Sequence, residues 1–174
     1  MRVISLIDTV RIILFLDCNL RCPYCCNQIP EYRSRFQERV IDEIDFGKYR
    51  NVVITGGEPF LHKGRLYSTL AAVPVGKAIY MNTNGILIND EDVEWLRRFN
   101  VKGVTIGLHF LMQPAKLNPR LPMFIPVRYR CWEKTVPAFL EMWPGVLDKD
   151  NLRGFEMNKC DMPNEDWILL KEPA

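Results

Sequence analysis

The sequence predicts an α/β protein built as a partial, open β/α barrel of about five to six mostly parallel strands. Three observations lead there. Short apolar runs without helical spacing suit strands covered on both faces of a parallel sheet. Helical segments alternate with those runs, as in successive βαβ units. The chain's 174 residues also fall short of a complete eight-unit barrel, which takes about 200 or more at about 30 residues per βαβ unit.

The first run is Arg11-Ile-Ile-Leu-Phe-Leu16, followed at once by a group of cysteines. Asn51–Thr55, Ala78–Met81 and Val101–Leu108 come next, the last interrupted by Gly103 and Gly107. Between them, Lys63–Val73 reads as a helix. Asp90–Phe99 reads as a stronger one, with Asn89 placed to cap it and Asp90, Glu91 and Asp92 suited to the positive end of its dipole. From Gln113 to Pro126, four prolines (Pro114, Pro119, Pro122 and Pro126) predict a loop over one face, a common place for substrate contacts. Beyond it, Val127–Trp132 reads as a strand, Val136–Trp143 as a short helix, and Leu152–Met157 and Trp167–Leu170 as further strands. With no repeat, low-complexity stretch or linker, residues 1–174 read as one domain.

A hydrophobic content of 48% with 25% charged residues is that of an ordinary soluble domain. The net charge of +2 comes from 23 basic and 21 acidic residues spread along the chain, leaving no basic block as a nucleic-acid or membrane footprint. Asp8, Arg11 and Asp17 cut the apolar N-terminal stretch below the length of a signal core or membrane span. The expected location is cytoplasmic. In a reducing compartment, six cysteines with three of them between Cys18 and Cys25 read as a metal-holding cluster rather than a disulfide framework. Unrelated buried thiols are the alternative.

Cys18-Asn-Leu-Arg-Cys22-Pro-Tyr-Cys25 places three thiols in a loop directly after a buried strand. Thiolates are the usual ligands of iron-sulfur clusters, and a closed 4Fe-4S site takes four, so three leave one iron open. Cys26 is adjacent, but consecutive residues rarely aim two side chains at one small cluster. Structural zinc sites, whose sign is two separated ligand pairs, are a further alternative. Thr55-Gly56-Gly57-Glu58-Pro59 ends the second core strand: its glycines allow close backbone approach, and its carboxylate can accept from an ammonium group. Asn82-Thr83-Asn84-Gly85 ends the third strand and His109 follows the fourth, at the edge where parallel sheets expose their sites. Cys131 and Cys160 are isolated thiols, either packing groups or hydrogen donors. Arg128 and Arg130 share one face of a strand and are candidates for holding a carboxylate or a substrate anion. Glu156, Asn158 and Asp161 are candidate polar lining.

The three-cysteine loop with an aromatic before its last cysteine, together with the Gly-Gly-Glu loop one strand later, resembles the radical S-adenosylmethionine (SAM) superfamily. That resemblance implies a 4Fe-4S cluster on Cys18, Cys22 and Cys25, with SAM chelating the open iron. It implies that Tyr24 packs near adenine, that Gly56, Gly57, Glu58 and Pro59 hold the methionine end, and that Asn82 and Asn84 contact ribose or substrate. His109 would be the catalytic candidate. It further implies an external one-electron donor of flavodoxin or ferredoxin type, and a 5′-deoxyadenosyl radical that takes hydrogen from a small-molecule, peptide or protein substrate. Ser5–Asp8, Cys18–Cys25 and Val53–Pro59 are worded like the small activases of anaerobic ribonucleotide reductase and related glycyl radical enzymes, with similarity from about Ser5 to His109. Those activases usually carry aspartate where Asn82 stands, Asp-x-Lys where Gly107-Leu108-His109 stands, and often histidine in place of Cys26. The departures predict that this chain is not a standard activase. A non-enzymatic electron carrier or a zinc module is the alternative from another class.

Overall fold

The computed structural model describes residues 7–23, 25–156 and 165–171. In chain order these form β1 (Thr9–Ile13), α1 (Pro30–Arg33), β2 (Gln37–Arg39), β3 (Asn51–Thr55), α2 (Lys63–Ala72), β4 (Ala78–Thr83) and α3 (Asp90–Arg98). Then follow β5 (Val101–Leu108), α4 (Leu121–Phe124), β6 (Val127–Trp132), α5 (Val136–Met142), β7 (Leu152–Phe155) and β8 (Glu165–Leu170). All eight strands join one open sheet in the order β2-β8-β1-β3-β4-β5-β6-β7. Each pairing in it is parallel.

The open parallel sheet agrees with expectation, and its strand number exceeds it. Six strands, β1 and β3 to β7, follow one another across the sheet, while β8 and β2 extend it beyond β1. The three residues of β2 are all exposed, so no apolar run marks them. The Gln113–Pro126 stretch also holds more structure than a bare loop: a 3₁₀ turn at Gln113–Lys116 and the single turn α4, each with a proline in its first positions, where no N–H is needed. In α3, Asn89 caps as expected, its side chain accepting from Asp92 N at 2.9 Å.

The parallel register sorts the sheet into two unlike faces. Val10, Ile12, Val52, Ile54, Ile79, Met81, Val104, Ile106, Tyr129 and Cys131 share one face and pack with Leu66 and Leu70 of α2, Val93 and Leu96 of α3 and Phe139 of α5. That layer is the core. The opposite face carries Arg11, Tyr80, Asn82, Thr105, Gly107, Arg128, Arg130 and Arg153, beside the buried apolar side chains of Ile13, Val53 and Trp167 near β1. All loops after the strands meet at one edge, where a parallel α/β fold places its ligands.

Candidate active site

Two segments run side by side past the ends of β1 and β3. Leu14 N donates to the Thr55 carbonyl (2.9 Å), Gly57 N to that of Phe15 (2.7 Å) and Glu58 N to that of Asp17 (2.8 Å). These bonds end β1 at Ile13, three residues before the apolar run ends. A Cβ on Gly57 would stand 1.7 Å from the Asp17 carbonyl oxygen, and one on Gly56 2.8 Å from that of Phe15. Only glycine fits. The two glycines let the motif lie against the backbone leading into Cys18. Asn27 closes the same contact from the far side of the loop, its Nδ2 donating to the Gly56 carbonyl at 2.6 Å.

Cys18, Cys22 and Cys25 are partly buried free thiols. Leu20 N donates to Cys18 Sγ at 3.3 Å, and Cys25 N donates to the Cys22 carbonyl at 3.1 Å. Burial pushes the Cys22 thiol up to about 11, with the charges of Cys25 and Cys18 adding to the rise. Burial also raises the Cys18 thiol, against the Leu20 N–H that favours its thiolate. Cys18 and Cys22 each feel the charge of neighbouring thiols, and thiolates held this close need a cationic centre. A four-iron cluster supplies one and gives each sulfur its own iron, so the three need not converge on a point. Among the described residues, no three His, Cys, Asp or Glu side chains converge on a single ion. Three free thiols in one loop are the donor chemistry that an iron-sulfur cluster takes, and on that ground the residues fit it. A cavity of about 420 Å³ opens on the loop, lined in part by Asp17, Cys18, Arg21, Cys25, Asn27 and Arg33, within the range of small-molecule sites.

Glu58 is fully buried. Its Oε1 accepts from Phe60 N (3.1 Å) and Thr83 Oγ1 (2.7 Å), its Oε2 from Asn84 N (2.8 Å). Burial raises its pKa, and those three donors hold it back. The carboxylate is engaged by protein donors and has no exposed surface. It caps the 3₁₀ turn that begins at the buried Pro59 and ties the end of β3 to the end of β4.

Asn84 is where that tie reaches the cysteine loop. Its Nδ2 donates to Asn19 Oδ1 at 2.7 Å and stands 4.0 Å from Cys18 Sγ. Its carbonyl accepts from Nε2 of the buried Gln113 at 2.7 Å. The same Nε2 donates to the Gly107 carbonyl (2.7 Å), while Gln113 Oε1 accepts from His109 N (2.7 Å). Gln113 thus joins the ends of β4 and β5. The half-buried His109 ring folds back over Gly107, 2.9 Å from where a Cβ would stand. Burial pushes its pKa down, favouring the neutral ring.

Asn82 stands apart from this group, on the open face of β4. With its amide oriented to satisfy both ends, its oxygen accepts from Arg11 Nη1 (2.7 Å) and its nitrogen donates to the Met81 carbonyl (3.3 Å). Cys131 is fully buried on the helix-covered face, which removes it as a hydrogen donor on the open one. Tyr24, Asn158, Cys160 and Asp161 lie outside the described residues. Asn27 and Gln113 were not marked by the sequence, because a lone amide in a loop has no spacing to distinguish it.

A parallel sheet with a three-thiol loop welded to a Gly-Gly-Glu loop defines a class of α/β enzyme core that works at the ends of its first strands. Residues 12–115 match the Radical SAM superfamily, and the chain belongs to it. Enzymes of that superfamily use a 4Fe-4S cluster and SAM.

Relatives named GTP 3′,8-cyclase include one from Synechococcus sp. (strain CC9902), 35% identical over 59% of this chain and 32% of its own length. Another, from Clostridium perfringens (strain 13 / Type A), is 32% identical over 62% and 36%. The chain spans about a third of the length of these curated relatives. Similar solved folds are anSMEcpe with bound AdoMet (TM-score 0.55, 16% identity, covering 86% of this chain and 51% of that one) and Streptococcus suis SuiB (0.54, 15%, 85% and 42%). Among the described residues, no helix is long and apolar enough to cross a membrane.

Proposed function

We propose that Cys18, Cys22 and Cys25 hold the 4Fe-4S cluster, that SAM lies along the strand ends from the cysteine loop toward β5, and that a substrate on the open sheet face loses a hydrogen atom. When bound, cluster and cofactor supply reductive cleavage of a carbon–sulfur bond and a carbon radical able to take that hydrogen. One observation carries the reading: a continuous set of buried and partly buried hydrogen bonds joins the cysteine loop, Gly56–Pro59, Asn84 and the end of β5 into one unit.

In this reading the three thiolates would leave one iron for the cofactor, and Gly56–Pro59 would hold its methionine end while the Glu58 side chain fixes the loop from behind. Asn84 holds the Cys18 loop at a set distance from β4, and His109, with its neutral ring, borders the substrate. Such positioning by residues already locked in place is what a radical reaction needs from its protein. The electron comes from an external one-electron donor of flavodoxin or ferredoxin type. A glycyl radical activase is disfavoured: at the two positions where activases carry acidic groups, Gly107 has no side chain and Asn82 is a neutral amide held by Arg11.

Reconstituted without oxygen, the protein should bind about four irons and four sulfides, and SAM should shift the electron paramagnetic resonance (EPR) signal of the reduced cluster. Alanine at Cys18, Cys22 or Cys25 should abolish the cluster, while Cys131→Ala should retain it. Stoichiometric zinc without sulfide would refute the assignment.

A further inference from the structure

The ladder between β4 and β5 runs as far as Thr83 opposite Ile106. One residue further on, at Asn84 and Gly107, a side chain from another segment stands between the strand ends. Gln113 Nε2 donates to the Asn84 carbonyl and to the Gly107 carbonyl, each at 2.7 Å, and Gln113 Oε1 accepts from His109 N at 2.7 Å. Both hydrogens of the amide are thereby used, and its oxygen as well.

Gln113 has no exposed surface, and burying an amide is unfavourable unless such bonds are made. The turn that carries it is held by other contacts. Gln113 N donates to the Phe110 carbonyl (2.9 Å), Leu117 N to that of Pro114 (3.2 Å) and Trp143 Nε1 to that of Leu111 (2.7 Å), and Pro114 is itself buried. An apolar side chain of the same size would fill the space equally well. The amide is therefore explained by what it holds: two carbonyls and one N–H at the ligand edge of the sheet.

Both ends of this brace lead to the candidate site. Asn84 N donates to Glu58 Oε2 at 2.8 Å, and Asn84 Nδ2 donates to Asn19 Oδ1 of the cysteine loop at 2.7 Å. On the other side, Gly107 leaves the space that the His109 ring fills, with Nε2 standing 2.9 Å from where a Cβ would be. Displacing the Gln113 amide would shift Asn84 against the cysteine loop and His109 against β4 together.

We propose that Gln113 is a positioning residue for the cofactor: its one side-chain amide sets the spacing between Asn84, which reaches the cysteine loop, and His109, which borders the open face. The proposal rests on the reading above that SAM lies along these strand ends. Gln113 acts through Asn84 and His109 rather than by touching the cofactor, and holding such groups in place before binding is what gives a bound molecule one orientation.

The test compares anaerobically reconstituted parent, Gln113→Leu, Gln113→Glu and Leu70→Ala, the last a cavity in the helix-covered core that destabilises the chain away from the strand ends. SAM affinity is read from the titration of its EPR shift, alongside iron content and 5′-deoxyadenosine formation with a strong reductant. Gln113→Leu should keep the parent's iron content, lose SAM affinity at least tenfold, and raise KM for SAM more than it lowers kcat. Gln113→Glu keeps the acceptor for His109 N but has at most one hydrogen for two carbonyls, so it should lose affinity severalfold. Leu70→Ala should bind SAM like the parent. In the cluster-free chain, labelled at its two histidines, Gln113→Leu should displace the His109 ring signal in nuclear magnetic resonance spectra and leave that of His62 in place. Parent-like SAM affinity in Gln113→Leu or in Gln113→Glu overturns the positioning role alone, as does an equal loss in Leu70→Ala. A parent without a SAM-induced shift overturns the functional reading and this role with it.

Discussion

Glu58 separates what a motif suggests from what a side chain does. A carboxylate in a Gly-Gly-Glu loop invites the role of ammonium acceptor, yet here it is fully buried among the N–H groups of Phe60 and Asn84 and the Thr83 hydroxyl. Hydrogen bonds to a charged group are worth about 1.5–3 kcal/mol each, and a donor left buried without a partner costs about 1–3 kcal/mol. Glu58→Ala should therefore destabilise the protein by about 3 kcal/mol or more even before any cofactor is added, read as a drop in the thermal midpoint of the cluster-free chain. A midpoint equal to that of the parent would mean that the carboxylate serves only the cofactor. The residues of this site divide by how they signal themselves. The cysteines and Gly-Gly-Glu were legible because fixed spacing ties them to strand ends. Asn27 and Gln113 were not, because each works through a backbone carbonyl or N–H brought near by the fold, and sequence carries no mark of that meeting.

The elements were legible wherever burial imposed a pattern. β3, β5 and β6 fall where their apolar runs lie, and α3 starts at its Asn89 cap. The end of β1 was misplaced because Leu14, Phe15 and Leu16 stay apolar while their backbone leaves the strand to bond the Gly56–Glu58 segment. β2 escaped notice because an exposed edge of Gln, Glu and Arg looks like any surface loop. The contact between the two motif segments yields a paired test on glycines. At Gly57 a Cβ would meet the Asp17 carbonyl at 1.7 Å, whereas at Gly64, near the start of α2, it would meet nothing within 4 Å. Gly57→Ala must push the cysteine loop away from β3, so iron content after reconstitution should fall severely. Gly64→Ala should raise stability by up to about 1 kcal/mol through helix propensity alone, with iron content intact. Full cluster loading in Gly57→Ala would show that the loop is free to hold the cluster without this contact.

At the scale of the whole chain, the fold depends on its last strand reaching its first. β8 enters the sheet between β2 and β1, and the Arg11–Glu165 pair that marks this joint spans 154 residues. Joints of this length form late and slowly, because loop-closure entropy is lost before any contact compensates. The pair is two-pronged, with Arg11 Nε at 2.7 Å from Glu165 Oε2 and Nη2 at 3.2 Å from Oε1. The guanidinium also lies 5.2 Å from the centre of the Trp167 ring and donates to Asn82. Arg11 is nearly fully buried, so removing it strands a carboxylate in a poorly solvated place, and Arg11→Met should cost about 3–5 kcal/mol. Replacing both partners with apolar groups leaves no charge behind, so Arg11→Met/Glu165→Met should recover a large part of that loss. The comparison is a urea titration of parent, both single variants and the double. A double variant as unstable as the sum of the singles would mean that the two residues act independently, and the closure of β8 onto β1 would then rest on Trp167, Ile168 and Leu170 packing alone.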